Sequence, residues 1–140
     1  MPEPSGKQFE KAHMEKLKTG IKKKLQITVG PNDTARHYGS GLVEVFASPA
    51  MIALMEKAAL EAVAPYLEEG QNTVGNEVNV KHVKPTPVGE DVTCEATLEE
   101  VEGRKLVFHV EASDRGGLIG KGTHTRFIID TDRFMSDMKK

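Results

Sequence analysis

Apolar residues recur at helical spacing between Ser48 and Val63. At about 3.6 residues per turn, Ile52, Glu56, Ala59 and Val63 share one stripe, with Met55 and Leu60 beside it. Ser48 followed by Pro49 predicts the helix start, because a serine hydroxyl caps free N–H groups and proline suits the first helical position. Pro65 predicts its end near Ala64, with a last turn through Tyr66 and Leu67. After the helix the period changes to two. Val78, Val80 and His82 fall on one strand face and Glu77, Asn79 and Lys81 on the other; Val92, Cys94, Ala96 and Leu98 alternate with Thr93, Glu95, Thr97 and Glu99. Leu106, Phe108, Val110 and Ala112 continue the pattern after the hairpin signal Glu102-Gly103-Arg104. The last strand contains Gly120 and Gly122, which predict a bulge or a close backbone approach.

Upstream, Ile21 to Val29 alternates as a first strand and ends in the turn residues Gly30-Pro31-Asn32-Asp33. Residues 34–47 hold two glycines and no clean period, which predicts a loop or lid leading into the helix. Lys7 to Lys18 predicts a loose helix before Gly20. The order of strand, lid, long helix and four strands specifies an α+β fold, with an antiparallel sheet wrapped around one helix that must bury its apolar stripe. We divide the chain into a polar N-terminal segment, residues 1–20, one domain over 21–131, and a C-terminal tail, 132–140.

At 140 residues the chain can bury a core without staples, and its single cysteine, Cys94, cannot form an internal disulfide. With no apolar run long enough for a membrane span and no signal-peptide pattern, a cytoplasmic protein without membrane contact is expected. The net charge of -2 hides a basic run, Lys16 to Leu25, and an acidic one, Glu95 to Glu102. Five Phe, two Tyr and no Trp give little stacking equipment, so no nucleic-acid partner is expected; lysines on a solvated edge strand discourage unwanted pairing.

Glu56 raises the chemical question. A carboxylate on an apolar stripe surfaces at its edge, finds a partner, or keeps its proton, because a lone buried charge is costly. Ser48 lies at the helix start, about 12 Å along the axis from Glu56, and His82 faces inward from the first strand after the helix. A ligand fits between them, with the Gly75 N–H facing the same cleft. Each residue alone also has a plain reading: Ser48 as a cap, His82 as a half-buried histidine, Glu56 as a structural pair with His82. His124 and Arg126 share a face of the last strand. Gly116 to Thr123 lacks the spacing of a phosphate loop, and the remaining histidines and Cys94 lack metal-ligand spacing, so no metal is expected.

Val45-Phe-Ala-Ser48, Leu54-Met-Glu-Lys-Ala58, Ala64-Pro-Tyr-Leu-Glu68, Thr73-Val-Gly-Asn76, Val80 to Gly89, Glu100 to Phe108 and Gly120 to Arg126 together resemble the hotdog-fold thioesterases, within them the fluoroacetyl-CoA thioesterase-like group. The resemblance spans about residues 28–130. It implies a hotdog fold, hydrolysis of a small or short-chain acyl-CoA thioester without a further cofactor, and a homodimer or dimer of dimers with sites at the subunit interface. It implies Ser48, Glu56 and His82 as catalytic residues and Gly75, Leu42, Phe46 and Arg126 as substrate-binding ones, Arg126 or His124 reaching the site or the coenzyme phosphates. Glu56 would act as base on water or as nucleophile forming an anhydride; His82 would move protons or polarise the thioester; Ser48 would orient Glu56 or the nucleophile; the Gly75 N–H would bind the carbonyl oxygen. The group's fluoroacetate enzyme carries threonine at the Ser48 position and a phenylalanine-rich lid, where this chain offers Gly39 and Leu42. Two other readings are an acyl-CoA binding module without turnover and a hydratase or dehydratase on the same fold.

Overall fold

The structure, a computed structural model, describes residues 17–139. The helix expected over residues 7–18 lies outside these, apart from Leu17 and Lys18, which are not helical. Strand β1 (Lys22–Thr28) is followed by a 3-10 turn (Pro31–Asp33), the one-turn helix α1 (Ala35–Tyr38) and the long helix α2 (Ser48–Val63). Strands β2 (Gln71–His82), β3 (Asp91–Glu102), β4 (Lys105–Asp114) and β5 (Gly117–Asp130) follow, then helix α3 (Thr131–Asp137) in the tail. The region expected as a loop or lid thus holds one helical turn, capped by Thr34, whose hydroxyl accepts from the His37 N–H.

All strand pairs are antiparallel, in the order β1-β3-β4-β5-β2. The lysine-rich β1 therefore stands at one edge and β2 at the other. The alternation read from the sequence holds in the two central strands: Val92, Cys94, Ala96, Leu98, Leu106, Phe108, Val110 and Ala112 are all fully buried on one face. Against that face α2 lays Ala50, Met51, Leu54, Met55, Ala58, Ala59, Ala62 and Val63. The many alanines let the helix approach closely, and each large apolar side chain buried there contributes roughly 1.5–3 kcal/mol. Burial pushes the Cys94 thiol up to about 12, so it is inert packing rather than a nucleophile.

The buried face of α2 is rotated from the stripe expected. Ile52 and Glu56 are half-buried and Leu60 is exposed, so Glu56 surfaces at the edge of the core. The helix start also differs. Ala47 is the N-cap residue, Ser48 is already helical, and no side chain caps the first turn, which leaves the Ser48 hydroxyl free for another partner.

Both glycines of β5 mark close approaches. A Cβ at Gly120 would lie 2.5 Å from the Met51 sulfur, and one at Gly122 would run into the Asn79 carbonyl of β2. A bulge interrupts the β4–β5 register between Ala112 and Ser113, and a second interrupts β2–β5 between Gly75 and Glu77. The second one matters for the site. An unbroken strand would send Gly75 and His82 to opposite faces; the extra residue Asn76 brings Gly75, Val78, Val80 and His82 onto the same inner face.

Candidate active site

Two polar clusters lie along the line where α2 meets β2 and β5. In the first, Ser48 Oγ is 2.8 Å from His82 Nδ1, joining the first turn of α2 to the last residue of β2. The ring of Phe46, itself fully buried, meets His82 edge to face at 6.4 Å between centroids. Burial pushes the His82 pKa below its ordinary value, opposed in part by the backbone of Lys84, so the ring is neutral near pH 7. Its Nε2 is buried and has no hydrogen-bond partner among the described residues. Ser48, His82 and Phe46 line an open cavity of about 520 Å³ with Ala35, Val45, Val83 and Lys84. The Lys84 ammonium at this cavity is anchored 2.8 Å from Asp114 Oδ1, and the second carboxylate oxygen accepts from Thr86 Oγ1 at 2.9 Å.

The second cluster surrounds Glu56. Its Oε2 lies 3.8 Å from Arg126 Nη1, with the carboxylate side chain 42% exposed and the arginine 6%. Three hydrogen bonds fix the guanidinium. Nε donates to Thr73 Oγ1 at 2.8 Å, Nη2 to the Thr73 carbonyl at 2.8 Å, and Nη1 to His124 Nε2 at 3.1 Å. The His124 ring stacks on Phe108, and its Nδ1 donates to the Glu77 carbonyl at 2.8 Å. Since a carbonyl only accepts and an arginine only donates, this ring is the neutral Nδ1–H tautomer. Burial is the largest cause of its lowered pKa, and the Arg126 charge works in the same direction.

Gly75 sits in the middle of this cluster. A Cβ there would lie 2.8 Å from His124 Cε1, 3.2 Å from Arg126 Nη1 and 3.3 Å from Glu56 Oε2. Only glycine leaves room for backbone, imidazole, guanidinium and carboxylate to meet.

The fold brings Ser48 to His82, and Gly75 and Arg126 to Glu56; Glu56 pairs with Arg126 rather than with His82. Arg126 is buried beside Glu56. Leu42 is 93% exposed and stands outside the cavity that Phe46 lines. Among the described residues no cluster of His, Cys, Asp or Glu could hold a metal ion. Sequence reasoning missed Thr73 and the role of His124. Their signal was present: Thr73, His124 and Arg126 occupy inward strand positions where apolar residues are the rule.

A family model of fluoroacetyl-CoA-specific thioesterases matches residues 29–132. The chain belongs to this family. The fluoroacetyl-CoA thioesterase of Streptantibioticus cattleyicolor is 40% identical over 118 residues, covering 80% of this chain and 85% of that one. A solved structure of the fluoroacetyl-CoA thioesterase FlK superposes with a TM-score of 0.82 at 38% identity, over 88% of this chain and 96% of that one. A hot-dog-like protein from Thermanaerovibrio acidaminovorans reaches the same TM-score at 27% identity, over 89% and 92% of the two chains. The fold is hotdog, as the sequence motifs implied, and the protein is a thioester hydrolase of the acyl-CoA thioesterase kind.

Proposed function

We propose that this thioesterase hydrolyses a small acyl-CoA thioester at a site shared between two copies of the chain, with Ser48 and His82 of one copy facing Gly75 and Glu56 of the other. One observation carries the reading: the two clusters are too far apart in one chain to act on one carbonyl. Ser48 and Glu56 are about 12 Å apart along α2, and the seven steps of β2 from Gly75 to His82 cover roughly 20 Å. β2 is an edge strand, exposed from Asn76 to Asn79, and Val78 is 37% exposed. A two-fold axis at Asn79, with β2 pairing antiparallel to its own copy, sets Val78 against Val80 and Glu77 against Lys81. The bulge then sets Gly75 against His82, with like faces matched at every step. Such pairing also covers an open edge.

In this arrangement the thioester carbonyl oxygen accepts from the Gly75 N–H. Glu56 supplies a carboxylate lone pair, either taking a proton from attacking water or attacking the carbonyl to give an anhydride that water opens. His82, neutral at rest, relays to the departing thiolate the proton released when water attacks the carbonyl or opens the anhydride and so ends neutral again, and its hydrogen bond to Ser48 fixes the ring. Fluoroacetyl-CoA and acetyl-CoA are the first substrates to test, since one mutant of FlK has been solved with acetyl-CoA and another with fluoroacetate and CoA. Release of free CoA thiol across a panel of short acyl-CoAs measures the activity. Altered double-bond absorbance without thiol release, or binding without either, would favour the hydratase or dehydratase and the binding module respectively. In this reading the protein acts in the cytoplasm on a soluble thioester.

A further inference from the structure

We infer that His124 is a positioning residue: its Nε2 lone pair holds the Arg126 guanidinium back from Glu56, leaving the carboxylate beside a positive charge but not closed into a hydrogen-bonded pair with it. The distances carry this. Nη1 is 3.1 Å from His124 Nε2 and 3.8 Å from Glu56 Oε2, so the shared nitrogen is bonded to the imidazole and only adjacent to the acid. The other two nitrogens are committed to Thr73. The guanidinium is therefore tethered on three sides, and all three tethers are strand atoms rather than Glu56.

The Glu77 carbonyl is what makes His124 an acceptor. Nδ1 donates to it at 2.8 Å, and a neutral ring with its proton on Nδ1 has its lone pair on Nε2. The carbonyl belongs to the residue that follows the bulge in β2, so the bulge that turns Gly75 inward also fixes the tautomer. Among the described residues, the charged or titratable groups set against Glu56 are Arg126 and His124, both from β5; β2 contributes Gly75, which has no side chain. A carboxylate locked to arginine by two hydrogen bonds would have a lone pair on each oxygen occupied; one held at a distance keeps them for the reaction while its charge is balanced.

The inference rests on Glu56 being the reactive carboxylate, and its test separates the two. In full-length protein at pH 7, the side-chain nitrogen-15 spectrum should show His124 neutral with the proton on Nδ1. An Nε2–H tautomer or an imidazolium at this position would overturn the proposal without any assay of turnover. His124→Leu keeps bulk against Phe108 and removes the acceptor; with acetyl-CoA as probe, kcat should fall on the order of 10- to 100-fold with KM unchanged. His124→Gln restores an acceptor within reach of Arg126 and should recover most of that loss. A His124→Leu enzyme with wild-type kcat, or a glutamine variant no better than leucine, would also overturn it. A fully active Glu56→Gln enzyme would remove the hydrolytic role of Glu56, while the histidine spectrum would still decide whether His124 is the acceptor.

Discussion

The Ser48 hydroxyl lies 2.8 Å from His82 Nδ1, so the start of the central helix and the end of an edge strand are tied by two side chains the sequence separates by 34 positions. Because Ser48 caps no backbone group, its hydroxyl can be removed at little structural cost. Ser48→Ala should lose about 1 kcal/mol or less of stability, the worth of one solvent-accessible hydrogen bond, and lose turnover by freeing the imidazole. Ser48→Thr keeps the hydroxyl and should keep activity. Equal kcat in the alanine and parent enzymes would show that this hydrogen bond does nothing for the chemistry.

Glu56 sits at the core edge, beside but not inside the apolar packing, so Glu56→Gln should leave the fold intact. Turnover of acetyl-CoA should fall by a factor on the order of 100 or more, because the amide is neither base nor nucleophile. Melting temperature and kcat measured on one preparation decide it: a destabilised, fully active variant would make Glu56 a structural residue.

Arg126 is the opposite case. Its removal strands the Thr73 hydroxyl, the Thr73 carbonyl and His124 Nε2 in the interior. Arg126→Met should cost roughly 3 kcal/mol in urea unfolding. Arg126→Lys should recover little, since one ammonium cannot reproduce the planar fork. A methionine variant of parental stability would mean that the buried network is worth nothing net.

The register of the two-fold pairing can be read chemically. A residue on the axis faces its own copy with Cα atoms about 4.5–5.5 Å apart, within the range a disulfide spans. Asn79→Cys should therefore form a covalent dimer under mild oxidation, while Lys81→Cys, two positions off the axis, should not. Cys94 is buried and should not contribute. Efficient cross-linking through position 81 but not 79 would shift the axis and separate Gly75 from His82.

Acid should destabilise the protein in two stages. Folded His82 and His124 have pKa values below the ordinary 6.5, so the unfolded chain takes up protons first. Stability from these groups is complete above that value and is lost as pH falls toward their folded pKa values. Asp114, held below 3.8 chiefly by its hydrogen bond to Lys84, acts later: its contribution is complete above 3.8 and lost as pH falls through its lower folded value. Urea midpoints measured against pH would show both steps; a flat profile down to pH 3.8 would contradict the buried neutral histidines.

Much of this was legible in the chain because the central strands and helix repeat a period. Val92 to Leu98 and Leu106 to Ala112 face the core as their alternation predicts, and Pro49 and Pro65 bracket α2 closely. What failed depends on single-residue offsets. Ser48 was one position too far along to be the cap, and the α2 stripe was rotated so that Leu54 and Ala58 took the core in place of Ile52 and Leu60. Ser48, Glu56, Gly75, His82 and Arg126 were all singled out, yet which of them pair with which was not. Arg126 reaches Thr73 and His124 through space that Gly75 vacates; alternation puts His124 and Arg126 on the inward face of β5, but no local pattern says what they meet there.

The bulge at Asn76 makes the site a matter of counting rather than of side-chain identity. Asn76 is exposed, and replacing it with alanine should be tolerated, yet removing the residue altogether would turn Gly75 outward while His82 stayed inward. Natural or engineered variation along this strand should then be rich in substitutions and closed to single insertions and deletions, so that chain length between Gly75 and His82 becomes the quantity under the tightest constraint.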